Sequence, residues 1–166
     1  MLLFSNLKKY LLKSNIYFNN VIHHTNNIKI NSSYYLLNYV LDLPSVIDYY
    51  ESGRFKGQLK TQIWYKNGNK HREGDLPAFI QYHYKNIKPE IKIWYKNGKL
   101  YRVGDLPARI EYYENGQPHR KFWYKNEILH REGDLSNMIE YGENGRLEKW
   151  VWYKNGEIEK QILNRD

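Results

Sequence analysis

Side chains that could bind a metal ion recur at matching positions along this chain. His71 and His130 occupy the same place in a repeated pattern, but Tyr101 holds that place in the copy between them, so a ladder of histidine ligands would be interrupted. An aspartate also recurs once per copy, at Asp42, Asp75, Asp105 and Asp134. Calcium needs about 6–8 oxygen ligands, which one carboxylate per copy does not supply. We therefore expect no metal site, and we expect each aspartate to cap backbone N–H groups in a turn.

Acid–base catalysis is not indicated either. Glutamates and arginines recur in neighbouring positions, at Glu73, Glu132, Arg72, Arg102 and Arg131. Each copy resembles the others, whereas catalysis needs one asymmetric group of residues in unlike environments. The chain has no cysteine, no phosphate-binding loop and no glycine-rich cofactor motif. We predict a protein that is not an enzyme and holds no cofactor, with an exposed ladder of charge pairs contributing roughly 0–1 kcal/mol each.

A column of tryptophans and lysines is the best candidate for partner binding. Its members are Trp64, Trp94, Trp123 and Trp152, with Lys66, Lys96, Lys125 and Lys154 two residues after each. Aromatic and basic side chains together could stack on bases or sugars and pair with phosphates. The alternative, which we favour, is that the indoles fill the space between neighbouring repeats, because large aromatic side chains have much to gain from burial.

A repeat of two strands per copy must position these residues. The segment Trp-Tyr-Lys-Asn recurs at intervals of 30, 29 and 29 residues. An Ile-x-Tyr pair precedes it in each copy, at Ile47/Tyr49, Ile80/Tyr82, Ile110/Tyr112 and Ile139/Tyr141. Spacing by two places both side chains on one face of a strand, and we expect the tryptophans to point to the opposite face. Asn-Gly pairs follow both strands and predict hairpin turns in which both residues adopt positive φ.

The whole pattern predicts an all-β protein with little helix. We expect residues 41–166 to form about four tandem repeats of roughly 29–30 residues, stacked as an elongated antiparallel array of β-hairpins. Extra residues between Glu51 and Gln58 should lengthen one turn. Residues 1–40 match the repeat poorly and are predicted to be a terminal cap. That cap is irregular or contains a short helix, because Leu3, Leu7, Tyr10 and Leu11 have helical spacing.

Composition limits the partners and the location. The chain carries 26 basic and 18 acidic side chains, a formal charge of +8, which favours acidic partners in general. No apolar run is long enough to cross a bilayer. The apolar start of the chain is interrupted by Asn6, Lys8 and Lys9, so a secretion signal is not predicted. Together with the lack of cysteine, this favours an intracellular protein. The oligomeric state is left open.

The recurring motif WYKNG…HREGDLPA…IEYYENG, over about residues 41–160, resembles the MORN-variant repeat of giant viruses of the mimivirus type. The resemblance implies an array of β-hairpins without a catalytic centre, located in the host cytoplasm or the virion. MORN-like repeats elsewhere are associated with protein scaffolding and phospholipid binding. Our leading interpretation is therefore a scaffolding or protein-binding module, and the alternative is a basic surface for nucleic acid or anionic phospholipid. This chain departs from the motif at Tyr101, Val103, Glu127 and Ser136-Asn137.

Overall fold

Hairpins follow one another without interruption through the part of the chain that the computed structural model describes, residues 42–164. The strands in chain order are β1 (Val46–Tyr49), β2 (Leu59–Ile63), β3 (Tyr65–Lys66), β4 (Asn69–Lys70), β5 (Phe79–Tyr82), β6 (Pro89–Ile93), β7 (Tyr95–Lys96), β8 (Lys99–Leu100), β9 (Arg109–Tyr112), β10 (Pro118–Phe122), β11 (Tyr124–Lys125), β12 (Ile128–Leu129), β13 (Met138–Tyr141), β14 (Leu147–Lys154) and β15 (Glu157–Leu163). Nine of them form one antiparallel sheet in the order β1-β2-β5-β6-β9-β10-β13-β14-β15. Because spatial order follows chain order, the sheet is a meander, and the predicted all-β hairpin array is confirmed.

Three short hairpins, which we call arms, branch from this sheet. They are β3–β4, β7–β8 and β11–β12, and each begins directly after a tryptophan. Neighbouring arms are linked, since the Gly98 N–H donates to the Lys70 carbonyl at 2.9 Å. The last repeat differs, because β14 continues through Trp152 and β15 stays in the main sheet beside it.

Helical structure within residues 42–164 is limited to a 3₁₀ helix, Gly53–Phe55. It lies in the predicted lengthened turn, which is closed by a hydrogen bond from the Tyr50 N–H to the Gln58 carbonyl. The predicted terminal cap and its helix, in residues 1–40, lie outside the described residues.

The tryptophans share a face with the Ile-x-Tyr pairs, so the predicted opposite placement was wrong. Ile80 on β5 is paired directly with Gln62 on β2. Gln62 and Trp64 are two residues apart, so their side chains point to the same face of the sheet as that of Ile80. Trp64 accordingly packs in a buried cluster with Ala78 and Ile80, and Tyr82 contacts that cluster. The prediction failed because it treated each strand separately. Which residues share a face depends on the register between two strands, and neither strand alone determines that register.

The arm turns have the geometry that Asn-Gly pairs favour. Asn67 and Gly68 have φ values of 52° and 76°, and both residues of the corresponding later turns also have positive φ. This is the type I′ turn, whose twist matches that of the flanking strands. The Asn126-Glu127 turn keeps the same geometry without a glycine, since Glu127 has a φ of 68°.

The turns between the long strands have a different geometry from the predicted one. At Asn115-Gly116 only the glycine has positive φ. The Gly116 N–H donates to the Tyr113 carbonyl at 2.9 Å, and the Tyr113 N–H donates to the Gln117 carbonyl at 3.0 Å. This is a three-residue loop, a type I turn followed by a bulge. The asparagine instead accepts a hydrogen bond on its side chain, from the Gln117 N–H at 2.8 Å.

The strained arm turn offers a test of the fold. We expect Glu127→Gly to raise the free energy of unfolding by roughly 0.5–1 kcal/mol, because glycine adopts the left-handed conformation without the penalty other residues bear. The measurement is urea denaturation followed by circular dichroism. The matched control is Gly68→Ala, where the added Cβ meets nothing within 4 Å, so its expected destabilisation reports backbone strain alone. The two changes should therefore shift the free energy of unfolding in opposite directions. Shifts in the same direction would contradict the assigned turn geometry.

Candidate functional site

A cluster of three side chains joins each repeat to the one before it. The Arg72 guanidinium lies over the Trp64 ring, 3.7 Å from its centroid. Its Nε and Nη2 atoms donate to the Asp42 carboxylate at 3.0 and 2.7 Å, and its Nη1 donates to the Pro77 carbonyl at 3.2 Å. The Trp64 Nε1–H donates to the Asp42 carbonyl at 3.1 Å. We call this arrangement of aspartate, arginine and tryptophan the clamp.

The clamp recurs in the next two repeats with the same arginine–aspartate and arginine–tryptophan contacts, although the buried Trp123 Nε1–H of the third clamp has no hydrogen-bond partner among the described residues. Arg102 lies 3.9 Å from the Trp94 centroid and donates to the Asp75 carboxylate at 2.8 and 2.9 Å. The corresponding members of the third clamp are Arg131, Trp123 and Asp105. All three arginine side chains are only 15% exposed. Arginine suits this position because its planar fork can meet a carboxylate in two places while its face covers an aromatic ring.

The clamps corrected two predictions made from the sequence. The aspartate carboxylates bind the arginine of the following repeat, whereas we had expected them to cap backbone N–H groups in their own turn. The glutamates do not pair with the arginines either. Glu73 pairs with Lys66 at 2.6 Å, and Glu132 pairs with Lys125 at 2.5 Å. The predicted ladder is thus two separate sets of ion pairs. In the arginine set the arginine side chains are largely buried, while the aspartate carboxylates stay exposed.

Charge pairing in the clamps changes the acidity of their aspartates. The hydrogen bonds from Arg102 hold the pKa of the Asp75 carboxyl below its ordinary value, against a smaller opposing effect of burial. Arg131 lowers the pKa of the Asp105 carboxyl in the same way. Both carboxyls therefore stay ionised to lower pH in the folded chain than in the unfolded one.

The predicted tryptophan column is mostly interior. Trp64, Trp94 and Trp123 are each 7% exposed, so packing between repeats, the alternative we favoured, describes these three. Trp152 is half-buried. In its repeat the clamp is incomplete, because the arginine of the other repeats is replaced by Lys160.

The four predicted lysines lie on the surface of the arms and of the last hairpin. Two of them pair with the glutamates named above. Lys154 lies 3.3 Å from Glu159, and the Lys96 ammonium lies 5.4 Å from the Tyr101 ring centroid. Each of the four thus contacts a neighbouring side chain. None is held beside the face of a buried tryptophan, so the structure does not bring the predicted Trp–Lys pairs together as stacking sites.

At the recurring histidine position, His71 makes a contact between neighbouring arms. Residues 42–164 contain no group of three His, Asp or Glu side chains placed to hold an ion. His71 is buried, and its Nδ1 accepts a hydrogen bond from the Asn97 N–H at 3.1 Å. This bond links one arm to the next, which gives His71 a structural contact.

An open groove lies beside the incomplete clamp in the last repeat. It has a volume of about 300 Å³, and its apolar wall is formed by Leu135, Ile139, Trp150, Trp152 and Ile162. Its polar lining is Asp134, Ser136 and Arg131, whose guanidinium is bonded to the Asp105 carboxylate. The Trp152 Nε1–H donates to the Asp134 carbonyl at 3.0 Å, as in the first two clamps. Position 160, eight residues after the tryptophan, is a lysine where the other repeats have arginine. The Lys160 ammonium lies 4.7 Å from the Trp152 ring centroid.

Sequence reasoning missed the clamp and this groove, although one signal for them was present. An arginine follows the tryptophan by eight residues in three copies, at Arg72, Arg102 and Arg131. The flanking histidine and glutamate positions change to Tyr101 and Val103 in the second copy, while the arginine does not. A position kept where its neighbours vary indicates a specific contact.

Comparisons of the chain with protein families, with curated proteins and with solved structures found no match. Within the described residues, no helix is long and apolar enough to cross a membrane.

The contribution of a clamp can be measured at Arg102. We expect Arg102→Met, which keeps the aliphatic stem, to lower the free energy of unfolding by about 1–3 kcal/mol, since it removes charged hydrogen bonds and a cation–π contact. Arg54→Met is the matched control, because Arg54 is exposed and lies over the Phe55 ring. Its effect should stay within about 0.5 kcal/mol. Urea denaturation measures both, and losses of equal size would contradict the role of the clamp.

The lowered aspartate pKa values predict acid sensitivity. Unfolded aspartate titrates near pH ~3.9, so the unfolded chain takes up protons before the clamped carboxyls do as the pH falls. The stability from the clamps is therefore present above about pH 4 and is lost as the pH falls through the lowered folded values. Between pH ~5 and ~3, the double variant Asp75→Asn/Asp105→Asn should lose less stability than the parent chain. Equal losses in the double variant and in the parent chain would contradict this prediction.

Proposed function

We propose that this chain is a non-enzymatic β-hairpin repeat module, of the MORN-variant type of giant viruses, that binds a protein partner in the host cytoplasm or the virion. The observation that carries the proposal is the open apolar groove of the last repeat. It is lined by two half-buried tryptophans and three aliphatic side chains, beside the Asp134 carboxylate and the Arg131 guanidinium. Partly buried aromatic side chains in an apolar depression with a polar rim are typical anchors of protein–protein contacts.

The uniformity of the remaining array supports a binding function at one end. The clamps of three repeats share their arginine–aspartate and arginine–tryptophan contacts, so the interior copies closely resemble one another. A stiff array built by repetition is well suited to holding a contact at a fixed distance. The recurring WYKNG and GDL segments, together with the hairpin order they specify, support the MORN-variant assignment.

The net charge favours the protein-binding function over the nucleic-acid or lipid alternative. Residues 1–41 contain four of the lysines and no acidic residue, so the repeats hold only about half of the positive excess. Within the repeats, nine cationic side chains form ion pairs with carboxylates. Each of these paired cations has less to gain from a phosphate, because binding a polyanion would have to replace its carboxylate partner.

Site-specific photo-crosslinking tests the proposal. A photoreactive amino acid is placed at position 135, in the groove, and in a second version at position 106. Leu106 is the corresponding exposed leucine of the preceding repeat, where Arg131 completes the clamp. In cells that produce the protein, we expect a discrete protein adduct from position 135 and none from position 106.

Two results would count against protein binding at the groove. One is the same set of adducts from both positions, or none from either. The other is an adduct sensitive to nuclease or carrying lipid, which would support the alternative. A steep loss of the adduct between about 50 and 200 mM salt would point to the same alternative, because polyanion binding is driven by counterion release.

A further inference from the structure

The last repeat keeps the tryptophan and the aspartate of the clamp, Trp152 and Asp134. In the first two clamps the tryptophan Nε1–H donates to the aspartate carbonyl, and Trp152 makes the same bond to Asp134 at 3.0 Å. This bond places the indole and the carboxylate beside one another, as the clamp requires. Both side chains line the open groove.

The arginine of the clamp is replaced by Lys160, which cannot complete the clamp. Lys160 lies across from Trp152 in the β14–β15 pairing, and its ammonium covers the ring at 4.7 Å. It makes no ion pair with Asp134, and no other cation of residues 42–164 does so. A lysine ammonium is a single point charge, whereas the other clamps use a planar group that bonds in two places and stacks as well.

From this arrangement we infer that the groove of the last repeat takes an arginine side chain from a protein partner, whose guanidinium stacks on Trp152 and pairs with Asp134. The inference rests on the proposed function and names the chemistry of its partner. Three copies of the same slot in this chain are each occupied by an arginine. The exposed Lys160 side chain can move aside at the small cost of one exposed cation–π contact.

Charge and shape favour arginine as the occupant. Arg131 also lines the groove, but its charge is paired with the Asp105 carboxylate, and Lys160 is free to move away from the Trp152 ring. The Asp134 carboxylate repels phosphate and carboxylate groups. A purely aliphatic side chain would cover that carboxylate without a hydrogen bond, which is costly. An arginine meets both the apolar wall and the carboxylate, because its stem is apolar and its head is a fork of donors.

A titration with matched peptides tests the inference on the intact chain. The probes are a short uncharged peptide bearing one arginine and the same peptide bearing lysine, and the readout is the Trp152 indole N–H resonance. We expect the arginine peptide to bind at least about tenfold more tightly than the lysine peptide. Asp134→Asn should abolish this preference. Asp75→Asn, in the clamp of Arg102, which contributes no residue to the groove lining, should leave it unchanged.

A second variant fills the slot from within. Lys160→Arg should rebuild the clamp, so it should raise the melting temperature and weaken binding of the arginine peptide at least tenfold. Arg165 lies outside the described residues, so the titration is repeated with Arg165→Gln, which should bind the peptide at least as well. Equal binding of the two peptides, or unchanged binding in the Lys160→Arg chain, would overturn the inference.

The outcomes separate this inference from the proposed function. A protein adduct from position 135 that survives Lys160→Arg, with no preference for the arginine peptide, would overturn the arginine slot and leave protein binding standing. If position 135 gives no protein adduct and neither peptide binds, both fail. If the adduct is a second copy of this chain, the arginine belongs to that copy, and Arg54→Gln or Arg146→Gln in the partner copy should remove the adduct.

Discussion

A guanidinium held between an indole and a carboxylate is the side-chain contact that ties each hairpin to the one before it, in addition to the strand pairing of the main sheet. Arg72 reaches three places at once: the tryptophan of its own repeat, the aspartate of the corner before it and the Pro77 carbonyl of the corner after it. A single repeat contains no complete clamp, because the carboxylate always comes from its predecessor. The hairpins therefore depend on their neighbours, which is the expected behaviour of a protein stabilised along one dimension.

The clamps also determine how the charge of the chain is used. A formal charge of +8 suggested an acidic partner, yet the repeats use their arginines to hold themselves together. Other cations lie over aromatic rings, such as Lys92 over Tyr112 at 5.2 Å and Lys121 over Tyr141 at 4.7 Å. Net charge therefore describes this molecule poorly. The proposed partner binding accordingly depends more on where a clamp lacks its arginine than on how many arginines there are.

The features that could be predicted from the sequence are those that a few adjacent residues determine. Ile-x-Tyr pairs indicated the strands, and Asn67-Gly68 indicated a tight turn with positive φ at both residues. The shared face of Trp64 and Ile80 could not be predicted in the same way, because it follows from the pairing of β2 with β5. The Asn115-Gly116 turn shows the same limit, since loop length decided its type and the loop length depends on the register of the strands.

The candidate site was harder to predict for a related reason. The clamp joins an aspartate to an arginine 26–30 residues later, so its two charged partners belong to different copies of the repeat. Within one copy of the repeat, the acidic residue nearest to Arg72 in sequence is Glu73, so the sequence suggested that these two would pair. Only the stacking of one copy on the next brings Asp42 to Arg72, and stacking is a tertiary property.

The last repeat looks degraded in sequence, with Ser136-Asn137 in place of Pro-Ala, but its structure is not that of a repeat losing its contacts. Asn137 donates from its side chain to the Tyr153 carbonyl at 2.8 Å and accepts from the Tyr153 N–H at 2.9 Å, so it ties the corner to β14. The Trp152–Asp134 bond is intact. The strand β15 carries Glu157, Glu159 and Lys160, and charges of this kind discourage pairing of an exposed edge with another strand. With the backbone edge protected and the side-chain slot open, the chemistry left for recognition at this end is that of the slot.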